Sequence, residues 1–162
     1  MSLKSQPAPE SVVPADEHGG PRACSIADSL EIFGDRWTLL VVRECSYGTH
    51  RFNEIQCNTG APRDVLANRL KRLEAAGIVR REPYSVHPPR HEYLLTESGE
   101  EVLPVLLALR EWGERRLRGG EPPVNPVWHS CGAELHVEGV CAACRQTVRT
   151  EDLRYAPDPA PR

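Results

Sequence analysis

The chain has 162 residues, of which 40% are apolar and 27% charged, with a formal net charge of −3. That length fits about one domain, the composition is that of a soluble globular protein, and the net charge excludes a globally basic nucleic-acid binder. No apolar run approaches the roughly 18–20 residues of a membrane span and the start has no apolar signal core, so the expectation is a cytoplasmic protein with no membrane partner.

Residues 1–21 and 155–162 are rich in Pro, Ala and acids without periodicity, and read as disordered tails. Order begins near Cys24. Ser25 followed by Asp28 suggests a capping box, and Ile26, Leu30 and Phe33 share one helical face. Gly34 breaks that helix. Asp35 can cap a second one carrying Trp37, Leu40, Val41 and Val42, which ends by Gly48. A short third helix spans Phe52 to Cys57, with Cys45 and Cys57 expected as small core residues. Trp37 is expected as a core anchor, with Asp35 and Arg36 capping and pairing around the helix start.

Pro62 suits the first position of a fourth helix, Asp64 suits its dipole, and Gly77 closes it. Leu66, Leu70 and Leu73 recur at i, i+4 and i+7, which makes an apolar back. The opposite face holds Asp64, Asn68, Lys71 and Arg72, with Arg63 and Arg69 at the flanks. Residues 62–90 gather seven basic side chains against three acidic ones, so the positive field is local. Residues 78–81 then read as a strand, Pro83 to Arg90 as a loop and His91 to Leu95 as a returning strand. Thr96 caps a long last helix to about Leu117, in which Pro104 should introduce a kink or a break. That helix is apolar on more than one stripe, so it has surface to spare for a second partner.

The order of elements is that of a winged helix-turn-helix: mainly α, with a small β-hairpin wing. A helix with an apolar back and a basic or amide front fits the major groove of double-stranded DNA. The expected recognition helix is 62–76 and the wing 82–91, with DNA-contacting residues Arg63, Asp64, Asn68, Arg69, Lys71, Arg72, His87 and Arg90. No Gly-rich phosphate loop, paired carboxylates or activated nucleophile stands out, so no enzymatic activity is expected.

Residues 119–126 read as a linker after a domain at 22–118, and residues 127–154 as a small β appendage resembling a zinc ribbon. Cys141-x-x-Cys144 is an intact metal knuckle, whereas Trp128 stands where the first knuckle needs a Cys, leaving Cys131. His129, with His136 as the other option, could complete a structural Zn2+ site with Cys131, Cys141 and Cys144. A hairpin without metal and a Cys141–Cys144 disulfide are the competing readings.

The segment from Cys24 to Gly113 resembles the HxlR-type regulators, relatives of the MarR winged-helix proteins. The blocks that carry the resemblance are Cys24-Ser25-Ile26, Gly34-Asp35-Arg36-Trp37-Thr38-Leu39-Leu40, Arg51-Phe52-Asn53-Glu54-Ile55, the run from Leu66 to Val79, that from Pro88 to Thr96, and Gly99. It implies a transcriptional regulator, a repressor at a palindromic operator, acting as a homodimer built by the first and last helices. Ser25 and Ala61 depart from the family's usual Pro and Ser. In some relatives the early Cys senses oxidants, so the resemblance makes Cys24, near a helix N-terminus, the candidate redox sensor for a small electrophile or oxidant. The alternatives are a redox or metal sensor whose output is DNA release, and a zinc-ribbon protein adaptor.

Overall fold

A computed structural model describes residues 24–119 and 126–154. The expected tails, and most of the expected linker, lie outside the described residues. The chain divides into two compact units. One runs Cys24–Val137, and the described part of the other is residues 138–154.

The first unit contains six helices and one hairpin: α1 (Ser25–Phe33), α2 (Thr38–Ser46), α3 (Phe52–Thr59), α4 (Arg63–Ala75), β1 (Val79–Ser85), β2 (Arg90–Leu95), α5 (Glu97–Glu100) and α6 (Leu103–Leu117). Its core is built from Val41, Val42 and Cys45 of α2, Ile55 of α3, Leu66, Leu70 and Leu73 of α4, and Ile78 and Val79 entering the hairpin. The three leucines spaced along α4 are all essentially fully buried, as the apolar back requires. Trp37 packs against this core as expected. Cys57 does not: it is exposed on α3, because it stands two residues after the buried Ile55, about 200° around the helix.

Polar side chains fix the helix junctions. Asp35 Oδ1 accepts the amides of Trp37 and Thr38, at 2.8 and 3.1 Å, and so starts α2 as anticipated. The buried Glu44 accepts Arg43 Nη2 at 2.6 Å and Asn58 Nδ2 at 2.8 Å, which ties α2 to the end of α3. A buried carboxylate is tolerable only when its oxygens are paired in this way. Ser25 forms no capping box. Cys24 is the N-cap of α1 and no side chain caps that helix.

Strands β1 and β2 pair antiparallel, from Val79 opposite Leu95 to Ser85 opposite Arg90. The expected loop from Pro83 therefore contracts to the turn 86–89. The long last helix is interrupted between Glu100 and Leu103, so Pro104 sits in the first turn of α6, where its missing amide costs nothing. Thr96 caps α5 by accepting the Gly99 amide, and its hydroxyl donates to Gly77 and Ile78 carbonyls. A side chain at Gly99 would place its Cβ 2.2 Å from the Ile78 oxygen, so only glycine fits this crossing.

Residues 126–137 belong to this unit. A bridge between Trp128 and Glu134 closes them into a small loop. Glu111 of α6 accepts the Val137 amide at 2.9 Å, and Arg110 lies 3.7 Å from Glu134. In the second unit Val140 bridges Thr147 and a 3-10 turn spans Thr150–Asp152. The expected β appendage thus carries isolated bridges in place of full strands, and its first part stands with the helical unit. Among the described residues no helix is long and apolar enough to cross a membrane.

Candidate nucleic-acid interface

Helices α3 and α4 meet at a tight turn. Gly60 adopts φ +71°, a left-handed conformation that glycine takes at little cost. Ala61 is buried and Pro62 is the N-cap of α4, one residue earlier than its expected first-turn position. Burying Leu66, Leu70 and Leu73 turns Asp64, Asn68 and Lys71 to the surface along one stripe.

The arginines flanking that stripe are braced by the scaffold. Arg63 Nη1 donates to Asn53 and Gln56 of α3, at 3.3 and 3.2 Å, and its guanidinium lies over the Phe52 ring. Arg69 Nε sits 3.1 Å from Asp35 Oδ1 at the start of α2. Arg72 Nη2 donates to the Glu31 carbonyl of α1 at 2.6 Å. Sequence periodicity places these three arginines on the right helix, but their partners lie on other elements. Burial raises the Asp35 pKa; the Thr38 hydroxyl, the Trp37 and Thr38 amides and the Arg69 charge outweigh it and hold the carboxyl below its ordinary value.

The wing presents His87 in its exposed turn and Arg90 at the start of β2. Ser85 Oγ donates to the Pro88 carbonyl across that turn. Between the wing and α3 lies a groove of about 490 Å³ lined by Arg51, Phe52, Asn53, Glu54, Tyr84, Pro89, Arg90, His91 and Tyr93. Arg51 stacks over Tyr84, 4.8 Å from the ring centre, and pairs with Glu92 at 3.4 Å. Arg81 is hydrogen-bonded to His91 at 2.9 Å. Arg51 and Asn53 are absent from the sequence-based site. The signal that could have found them is the polar start of α3, directly before the turn into α4.

This arrangement matches known proteins. The family description HxlR-like helix-turn-helix fits residues 32–120. The chain belongs to the HxlR-like helix-turn-helix family. It is a DNA-binding transcriptional regulator. An uncharacterized HTH-type transcriptional regulator of Mycobacterium tuberculosis is 37% identical over 85% of this chain and 86% of its own length. The solved structure of PA1607 superposes with a TM-score of 0.75 at 30% identity, over 84% of this chain and 96% of that one. The redox regulator HypR in its reduced form has a TM-score of 0.51 at 33% identity, over 59% of this chain and 98% of that chain.

The cysteines of this HxlR-like regulator occupy different environments. Cys24 is half-buried at the head of α1. Cys45 is buried, and burial, with the Glu44 charge beside it, pushes its thiol up to about 12. Cys131 is exposed, and its amide donates to His129 Nδ1 at 3.3 Å. His129 and Cys131 belong to one compact unit, and Cys141 and Cys144 to the other. His136 is paired with Glu111 at 3.3 Å. Among the described residues no group of three or more His, Cys, Asp or Glu side chains is gathered closely enough to hold a metal ion.

Proposed function

We propose that this regulator acts as a homodimeric repressor that reads a palindromic operator, with α4 in the major groove and the wing on the flanking backbone. The observation that carries this reading is the exposed Asp64, Asn68 and Lys71 stripe on a helix whose apolar back is fully committed to the core. Asn68 and Lys71 are chemically suited to base edges, Asn to adenine and Lys to guanine. Arg63, Arg69 and Arg72 contribute mainly by fixing the attitude of α4, and Arg51, His87 and Arg90 meet phosphates.

The dimer reading rests on two apolar stripes. On α1, Ile26 and Leu30 are 71% and 56% exposed; on α6, Val105, Leu109 and Trp112 are about half exposed at i, i+4 and i+7. Exposed large side chains in such rows mark an interaction surface. A two-fold dimer sets half-sites one helical turn apart, about 34–36 Å. The test is selection of bound fragments from genomic DNA, followed by anisotropy titration of the selected duplex against a scrambled one at two salt concentrations. A palindrome bound more tightly than the scrambled duplex at both salts is expected. Equal, steeply salt-dependent binding to both would overturn the specific reading and leave only phosphate attraction.

Oxidant control through Cys24 is a second reading, supported by its half-buried position at the head of α1 and the likeness to HypR. It expects peroxide to release DNA from the native chain and not from Cys24→Ser. Equal release from both would remove it.

A further inference from the structure

Helices α2 and α6 pack together with matching spacings. Arg43, Ser46 and Tyr47 recur at i, i+3 and i+4 at the end of α2, and Leu103, Leu106 and Leu107 do so at the start of α6, so each set shares one side of its helix. The two sets do not close completely. They line a cavity of about 160 Å³, and a further wall of it is Val127. Val127 lies after the HxlR-like region, which ends at residue 120, so the cavity is finished by this chain's own extension. That wall is fixed in place. The Leu135 amide donates to the Val127 carbonyl at 2.8 Å, and Glu111 of α6 accepts the Val137 amide at the far end of the same segment.

The lining is divided between apolar and cationic groups. Leu103, Leu106, Leu107 and Val127 supply apolar walls. Arg43, Tyr47 and Arg110 line the cavity and also line a wider cleft that runs on past Gly113 to Leu117, so cavity and cleft meet at two guanidiniums and a phenol. Carboxylates orient both arginines. Arg43 gives Nε and Nη2 to the buried Glu44 at 3.0 and 2.6 Å, and Arg110 lies 3.8 Å from Glu114 and 3.7 Å from Glu134. A guanidinium has five donors, so Arg43 keeps donors beyond those two. Glu114 lines the wider cleft, but among the described residues no acidic side chain lines the cavity itself. A dry apolar cavity of about 150 Å³ can take up benzene. One ring therefore fills a cavity of this size, and a carboxylate attached to it suits the arginine forks where cavity and cleft meet.

We propose that this cavity binds a small monocarboxylate whose apolar body has about the volume of one ring. The apolar body leaves water for the leucine and valine walls, and the carboxylate accepts from Arg43, with Arg110 and Tyr47 beside it. Glu44, the partner of Arg43, also accepts Asn58 of α3 at 2.8 Å, so the occupant sits against the tie between α2 and α3. The inference does not depend on how α4 reads DNA.

The test is isothermal titration calorimetry of the full chain with benzoate and with hexanoate, against benzamide as the uncharged control. One carboxylate per chain is expected, bound at least about 10-fold more tightly than benzamide, because charge-assisted pairs to arginine are the stronger ones. Val127→Trp fills the cavity from outside the helical core and should abolish binding, with thermal unfolding unchanged. Arg43→Lys keeps a cation beside Glu44 but loses the fork, and should weaken benzoate by about 10-fold. Failure of both carboxylates to bind saturably at concentrations up to about 10 mM would overturn the site. Equal affinity for benzoate and benzamide would overturn the anionic head group. Unaltered affinity in Val127→Trp would place the ligand elsewhere and overturn the cavity.

Discussion

Helices α4 and α6 begin from the same problem and solve it differently. Each has an apolar side packed into the unit. On α4 the remaining surface is polar, and its arginines are tied to α1, the start of α2, and α3. On α6 the remaining surface carries Val105, Leu109 and Trp112, about half exposed in a row. A helix that meets only water needs one apolar stripe, and α4 has one. A second exposed stripe suits a second protein surface, so under the proposed function α6 is the face that would assemble and α4 the face that would meet the polyanion.

The sharpest way to break this contrast is to make the second face of α6 resemble that of α4. Leu109→Glu combined with Trp112→Glu places two charges on the exposed stripe and leaves the buried Leu107 and Glu111 side untouched. We expect a folded monomer by light scattering. Operator affinity should fall by about 100- to 10,000-fold, because the second half-site no longer binds intramolecularly. A variant that remains dimeric would move the dimer surface away from α6.

A smaller effect separates reading from bracing on α4. Asn68→Ala removes an exposed amide with no role in the core and should cost about 1–3 kcal/mol of operator binding, with relaxed preference at one base position and unchanged thermal stability. Arg69→Ala should lower stability as well, by up to about 1 kcal/mol for a partly exposed pair, because Asp35 loses its cation. If the two variants behave alike in both assays, the division of α4 into readers and braces fails.

This division also marks what was legible in the sequence. The leucine spacing of α4 and the glycine and proline punctuation depend on near neighbours, and they placed the helices α1 to α4 and the hairpin, although β1 runs through Pro83 to Ser85 where a loop was expected. The partner of Arg72 is the carbonyl of Glu31, 41 residues earlier, and no periodicity reports that. Cys57 was misplaced because it stands two residues after the buried Ile55, about 200° around the helix, so the two do not share the inward side. The kink or break expected at Pro104 falls earlier, between Glu100 and Leu103, and the close approach of Gly99 to the Ile78 carbonyl is a constraint visible only once the hairpin is folded. The exposed polar stripe of α4 was thus readable from one helix alone, whereas Arg51 and Asn53 are brought together only by the groove between α3 and the wing.

The smallest expected effect tests the brace itself. Asp35 starts α2 through two amides and pairs with Arg69, so it links α2 to α4. Asp35→Asn keeps an acceptor for the amides but removes the charge, and should cost about 1 kcal/mol in denaturant unfolding at neutral pH. The sign of the pH dependence follows from the lowered pKa of Asp35. A carboxyl held below its unfolded value contributes its full stabilisation above that value and loses it as pH falls through the folded one. The gap in stability between the native chain and Asp35→Asn should therefore be widest at neutral pH and close as pH falls below the ordinary range of an aspartate carboxyl. A gap that stays constant across that range would show that the Asp35 charge contributes nothing, and that α4 is braced by shape and by Arg63 and Arg72.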